Sequence, residues 1–143
     1  MGKQGKGKVI IVPCSGIGKA QGLMAREAAY RAVEEVGHDR AETLCLARLV
    51  TGDQDALDAV RSHPCIAVDG CPKLCAYKNL ELAQAKVSES VRVVDAFKRH
   101  RGAKPGDASY LTDEGWAITG EIARELADDA RRLAAGNDGV QDE

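Results

Sequence analysis

One segment, residues 64–77, constrains the fold of this chain more than any other. Within it, residues 66–68 form a short apolar run of the kind that fills the interior of a parallel sheet. Asp69 and Gly70 follow as turn residues, and we expect Gly70 to use its freedom to adopt a positive φ. Pro72 suits the first position of a helix, where its missing N–H costs nothing. The segment therefore predicts a buried strand, a turn and a helix.

Two cysteines flank the predicted start of this helix. We expect Cys71 to lie just before the helix and Cys75 to lie one turn into it, so that both sulfurs share one side of the first turn. Unpaired backbone N–H groups and the positive end of the helix dipole point to the same place. The helix start is therefore expected to favour thiolates over thiols.

The rest of the chain alternates between short apolar runs and segments with helical periodicity. Besides the strand above, the predicted strands are residues 9–12, 42–46 and 90–94. The predicted helices are residues 21–36, 53–60, 72–84 and 112–133, with a shorter helix or turn at 95–100. The run that begins at residue 42 is the weakest strand, because part of it also fits a helix. Strands that alternate with helices in this way are typical of a parallel sheet with right-handed crossovers.

The predicted fold class is therefore α/β. We expect a small three-layer sandwich with a mostly parallel four-stranded sheet, Rossmann- or flavodoxin-like, and a C-terminal helix. A chain of 143 residues is long enough for one hydrophobic core of useful size. We expect one domain at residues 8–135 with flexible tails at residues 1–7 and 136–143.

Composition narrows the class of protein and its compartment. The net charge is −2 and aromatic residues make up only 3% of the chain, which argues against nucleic-acid binding. No apolar run approaches the ~20 residues needed to span a membrane. We therefore expect a cytoplasmic protein, in which cysteines serve as metal ligands or reactive thiols rather than in disulfides. The odd number of cysteines, five, also fits poorly with a fully paired disulfide framework.

Four of the five cysteines are expected at one edge of the sheet. Cys14 follows the first predicted strand, Cys45 lies near the end of the second, and Cys71 follows the third. The helix after the third strand adds Cys75. Because the carboxyl ends of parallel strands form a common edge, these sulfurs can converge, and tetrahedral zinc takes four thiolates at about 2.3 Å. The sequence therefore predicts a zinc site, structural or for metal handling, with Cys14, Cys45, Cys71 and Cys75 as ligands.

The fifth cysteine is predicted to lie away from this site. Cys65 begins the third strand six residues before Cys71, which places it roughly 20 Å away in an extended chain. We interpret Cys65 as a small buried apolar residue.

Two other uses of the same cysteines stay open. In a thiol-dependent redox or sulfur-transfer enzyme, Cys71 would be the nucleophile and Cys75 or Cys14 would resolve the intermediate. The four thiolates would also suit an iron–sulfur cluster. The residues alone do not decide whether the chain is an enzyme. Asp69 is likewise open to two readings, either as a group that orients a thiol or accepts a proton, or as an ordinary turn residue.

The central motif Asp69-Gly70-Cys71, with Cys75 after it, resembles the DGC domain family. Further matching segments lie at residues 13–18, 26–30, 42–46 and 90–95, so that the resemblance covers roughly residues 8 to 100. The resemblance implies a zinc site with four cysteine ligands, which correspond to Cys14, Cys45, Cys71 and Cys75. It implies no particular activity. Cys65 is not part of the family's pattern.

Overall fold

Four parallel strands form one sheet in the computed structural model, which describes residues 8–14, 19–70 and 73–141 and the side chains up to residue 135. The strands are β1 (Val9–Cys14), β2 (Ala41–Thr43), β3 (Pro64–Asp69) and β4 (Lys86–Arg92). The helices are α1 (Ala20–Val36), α2 (Leu46–Val50), α3 (Gln54–Ser62), α4 (Cys75–Leu82), α5 (Val93–Lys98) and α6 (Asp113–Gln141). The strand order is β2-β1-β3-β4, and every pairing is parallel. The predicted α/β fold class is confirmed.

Helices cover both faces of the sheet. Side chains along each strand alternate between the two faces, and in the central strands both sets are apolar, so each face needs a layer of helices. Val9 and Ile11 of β1 pack on one face with α1, α5 and α6, in a group that we call the α6-side core. Ile10 and Val12 pack on the other face with α2, α3 and α4, in the α4-side core. All four side chains are fully buried. The result is the predicted sandwich of three layers.

The C-terminal helix packs against α1 through the apolar face that its periodicity predicts. Ile122 and Leu126 of α6 are buried in the α6-side core. Trp116 lies at the rim, 36% exposed, with the Arg31 guanidinium 4.6 Å from the ring centroid. This distance is within the range of a cation–π interaction. The apolar stripe of α6 therefore closes one face of the sheet.

Helix α6 is also longer than the sequence predicted. It runs to Gln141, past residue 133, which is the last position of the apolar face that we predicted, and into the segment from residue 136 that we expected to be a tail. The predicted flexible tail at residues 1–7 lies outside the described residues. Neither α6 nor another helix in the described part of the chain is long and apolar enough to cross a membrane.

The two edge strands differ from their predicted positions. β2 ends at Thr43, and the last bond to β1 is donated by the Leu44 amide to the Ile11 carbonyl. Beyond it the chain turns into α2, which buries Leu49, so the helical interpretation of this run is the correct one there. β4 begins at Lys86 rather than at residue 90, because an edge strand tolerates polar side chains that are not typical of a buried strand.

Candidate metal centre

The carboxyl ends of β1 and β3 meet at the centre of the sheet. From β1 the chain passes to β2 on one side, and it later returns to form β3 on the other side. In open α/β sheets this reversal of strand order leaves a crevice outside the strand ends, where ligands bind. Cys14 and Asp69, the last residues of β1 and β3, are register partners across this position. The geometry thus places Cys14 beside the segment that leads to Cys71.

The Cys14 side chain packs on the α4-side core. Alternation along β1 places Cys14 on the same face as Ile10 and Val12, and its side chain is half-buried against that core. The helices on this face include α2 and α4, each of which begins at or beside a predicted ligand. Cys14 therefore lies on the face and at the edge that the predicted zinc site requires.

Cys45 lies directly before α2 as its N-cap residue, and its side chain is exposed. It follows β2 rather than lying within the strand, because pairing with β1 stops after Leu44. Asp53 raises the pKa of the Arg48 guanidinium, and the Cys45 sulfur adds a smaller effect in the same direction. Arg48, whose guanidinium donates to the Asp53 carboxylate at 2.9 Å, therefore lies within electrostatic reach of the Cys45 sulfur.

Cys75 is the first residue of α4, and its side chain is half-buried. The prediction that the helix begins at Pro72, with Cys75 one turn inside it, is therefore wrong. Leu74 adopts a left-handed conformation with φ 58° and ψ 46°, so a right-handed helix cannot pass through it. Cys71 and Pro72 lie outside the described residues, and the expected role of Cys71 stays a prediction.

The first turn of α4 is capped by the side chain of Asp69. The Ala76 amide donates to Oδ1 of Asp69 at 2.7 Å, and the Tyr77 amide donates to Oδ2 at 3.2 Å. The carboxylate is only 1% exposed. Burial raises the pKa of the Asp69 carboxyl, and the two amide hydrogen bonds offset part of that effect. These two amides bind Asp69, which removes them from the N–H groups that we expected to stabilise a thiolate.

Sequence patterns did not reveal this role of Asp69. A capping residue is normally recognised directly before its helix, whereas Asp69 precedes the first residue of α4 by six positions. The useful signal was a different one: an acidic residue at the end of a buried apolar strand, where a carboxylate needs donors. Both oxygens accept from amides of α4, so Asp69 is a buried helix cap rather than an ordinary turn residue. Its suggested role in orienting a thiol or accepting a proton stays a prediction.

Three of the described cysteines, Cys14, Cys45 and Cys75, follow or begin elements at the carboxyl edge of the sheet, but they do not form a ready-made ligand cluster. Within residues 8–14, 19–70 and 73–141, no three His, Cys, Asp or Glu side chains are close enough together to hold a metal ion. The set that the sequence predicts also includes Cys71, which lies outside this part of the chain.

Cys65 is placed as the sequence predicted. Its side chain is fully buried at the amino-terminal end of β3, and its Sγ lies 3.4 Å from the carbonyl oxygens of Val60 and His63. Burial raises the pKa of the Cys65 thiol to about 12. Cys65 is therefore a neutral packing residue of the α4-side core.

This burial predicts which thiols react. In chelator-treated folded protein at pH 8, we expect iodoacetamide to modify the exposed Cys45 and to leave Cys65 unmodified, as peptide mass mapping can show. Urea-unfolded protein is the control, in which both thiols should react. Fast modification of Cys65 in the folded chain would contradict its placement.

The same burial makes the stability of the chain depend on pH. Because burial raises the pKa of Cys65 from 9.0 to about 12, the stability from its buried neutral thiol is present below pH 9 and is lost as the pH rises toward 12.

Comparison with known proteins identifies the family. No curated protein and no solved structure gives a significant match to this chain. The model of the DGC domain matches residues 10–114, more than two thirds of the 143 residues. The match includes all four predicted ligands and nearly all of the segment that carried the resemblance in the sequence. The chain belongs to the DGC domain family.

Proposed function

We propose that this chain is a cytoplasmic zinc-binding protein whose site lies at the carboxyl edge of the sheet. Its four ligands are Cys14, Cys45, Cys71 and Cys75. The observation that carries the proposal is the pairing of Cys14 with Asp69 where the strand order reverses. That pairing brings the end of β1 next to the segment on which Cys71 follows two residues later. Membership of the DGC family fits a metal-binding protein.

The chemistry of the donors supports zinc. Cysteine thiolates are the usual ligands of closed tetrahedral zinc sites, and a reducing cytoplasm keeps them available. Four thiolates and one Zn²⁺ carry a net charge of −2, which nearby cations can offset. Lys78 lies within electrostatic reach of Asp69, and Arg48, although paired with Asp53, lies within electrostatic reach of Cys45. When bound, the metal would hold loops from three strands together or be passed on to another protein.

Binding by all four cysteines requires a local change. Because Cys14, Cys45 and Cys75 do not form a cluster by themselves, at least one of them must move toward the others. Cys45 has the greatest freedom to do so, since it is exposed and precedes a helix of only five residues. Metal binding is therefore expected to order the start of α2.

Elemental analysis of anaerobically purified chain tests the proposal. We expect one zinc per chain, with release of protons when zinc is added to metal-free protein, because thiols ionise as they bind. Serine at any of the four ligand positions should weaken zinc binding at least tenfold, measured by competition with a chromophoric chelator. Cys65→Ala is the matched control. It should keep full zinc affinity while costing ~1 kcal/mol of stability.

Other outcomes would contradict the proposal and favour a different use of the thiols. A brown protein that contains iron and sulfide would indicate an iron–sulfur cluster on the same cysteines. Equal and fast alkylation of Cys71 in metal-free and metal-loaded chain would indicate a nucleophilic thiol. Native chain without bound metal, or undiminished zinc affinity in all four serine variants, would overturn the zinc site.

A further inference from the structure

Asp69 links the end of one strand to the start of the next helix. It is the last residue of β3, and its buried carboxylate accepts hydrogen bonds from the amides of Ala76 and Tyr77. These amides belong to the second and third residues of α4, where an N-cap side chain normally binds. Leu74, which occupies the N-cap position, has no polar side chain, so Asp69 caps the helix from a distance.

The backbone beside Asp69 needs this support. Leu74 has φ 58°, a conformation that is unfavourable for a bulky residue and persists only where neighbouring contacts enforce it. The two hydrogen bonds to Asp69 hold the residues that follow Leu74 in place. They also set the position of Cys75, which lies between Leu74 and Ala76 at the first position of α4.

The other side of the same segment is held by α1. A Cβ atom on Gly70 would lie 2.7 Å from the carbonyl oxygen of Gln21 and 2.9 Å from the backbone nitrogen of Gly22. The chain therefore passes directly against the first turn of α1 as it leaves Asp69. The Asp-Gly pair serves two purposes here, since Asp69 ties the segment to α4 and Gly70 lets it approach α1.

We propose that Asp69 is a positioning residue for the zinc site, which it serves by holding Cys75 in register with the ends of β1 and β3. The inference rests on the proposed function. Asp69 is not one of the four proposed ligands, and its two oxygens accept hydrogen bonds from the amides of α4. Its effect is to hold the helix start near the position that a tetrahedral site needs, and zinc bound to Cys75 should in turn stabilise the hydrogen bonds to Asp69.

The direction in which zinc affinity changes when Asp69 is replaced distinguishes a positioning role from a purely electrostatic one. Zinc binding to four thiols creates a site with a net charge of −2, and a nearby carboxylate opposes that change through repulsion. Removal of the charge alone would therefore strengthen zinc binding. Removal of a positioning contact would weaken it.

The test compares Asp69→Asn with the unchanged chain. Asparagine has the same shape but presents an NH₂ group to one of the two amide donors, so one hydrogen bond is lost. We expect zinc affinity to fall at least tenfold in chelator competition, and the d–d absorption of the cobalt-substituted site to change. Thr112→Val is the matched control, because Thr112 accepts from the Gly115 amide as the cap of α6 on the opposite face. The zinc affinity of the Thr112→Val variant should stay within twofold of that of the unchanged chain.

A measurement on the unchanged chain covers the case in which Asp69→Asn does not fold. Zinc should slow hydrogen exchange at least tenfold at the amides of Ala76 and Tyr77. The internal control is the similar cap of α3, where the amides of Asp55 and Ala56 bind the Asp53 carboxylate at 2.9 and 3.2 Å. Exchange there should not change.

The outcomes distinguish failure of this inference from failure of the proposed function. Unchanged or stronger zinc binding by folded Asp69→Asn would overturn the positioning role while leaving the site intact. Equal rates of hydrogen exchange at the amides of Ala76 and Tyr77 with and without zinc would also overturn the positioning role. Absence of thiolate-bound metal in the unchanged chain would overturn the proposed function and this inference with it.

Discussion

Replacement of Gly70 with alanine is expected to lower the free energy of unfolding by about 2–3 kcal/mol. The added Cβ would lie within 2.9 Å of three backbone atoms of Gln21 and Gly22, which cannot rotate away as a side chain can. The φ of Gly70 lies outside the left-handed region, so the expectation of a positive φ is wrong. Glycine is needed here because two backbone segments approach closely, and not because of backbone strain. Urea unfolding followed by circular dichroism measures the effect.

Gly120 of α6 supplies the matched control for this substitution. A Cβ at Gly120 would meet only the end of the Arg124 side chain, at 3.9 Å. Gly120→Ala should therefore raise the free energy of unfolding by up to about 1 kcal/mol through helix propensity. If Gly70→Ala were as stable as the unchanged chain, the segment after β3 would not lie against α1. The geometry of the cysteine edge would then need to be revised.

Replacement of Leu80 with alanine is expected to cost about 3 kcal/mol of stability. Leu80 is fully buried and anchors α4 in the α4-side core. The substitution leaves a cavity beneath the helix that begins with Cys75, and the surrounding strands close it only in part. The zinc-loaded and metal-free proteins should both lose stability, as thermal or urea unfolding can show. The loss arises in the core and does not depend on the metal.

Leu82 on the same helix provides the control for Leu80. Its side chain is 81% exposed, so Leu82→Ala should change stability by less than about 0.5 kcal/mol. Similar losses for the two variants would mean that α4 presents a different face to the sheet. That result would also contradict the orientation of α4, and with it the half-buried position of the Cys75 side chain.

Local patterns were sufficient to predict the class of fold. The apolar run at residues 9–12 and the run at residues 66–68 are both buried strands in the structure. Between them lie helices with the predicted periodicity, and consecutive strand–helix units favour a parallel sheet for reasons of handedness and chain length. The convergence of strand ends at one edge follows from that topology. For this reason the placement of Cys14 at the same edge as the end of β3 could be predicted without coordinates, although the direct pairing of β1 with β3 could not.

Edge strands were harder to predict, because their signals are weaker. β4 alternates Lys86, Ser88 and Ser90 with half-buried residues, a pattern that lacks the apolar run of a central strand. β2 is only three residues long, and its limit is set by where pairing with β1 stops. The strand order itself depends on packing among distant elements, which no local window contains.

The start of α4 shows most clearly what the amino-acid sequence by itself determined and what only the tertiary structure decided. Sequence identified Asp69 and Gly70 as turn residues between a buried strand and a helix that carries Cys75, because apolar runs and turn residues act locally. Tertiary structure decided that the helix begins at Cys75, since the cap comes from Asp69 and the space beside Gly70 is filled by α1. Hydrogen bonds and backbone contacts between segments distant in sequence have no local pattern, so only the packed chain determines them.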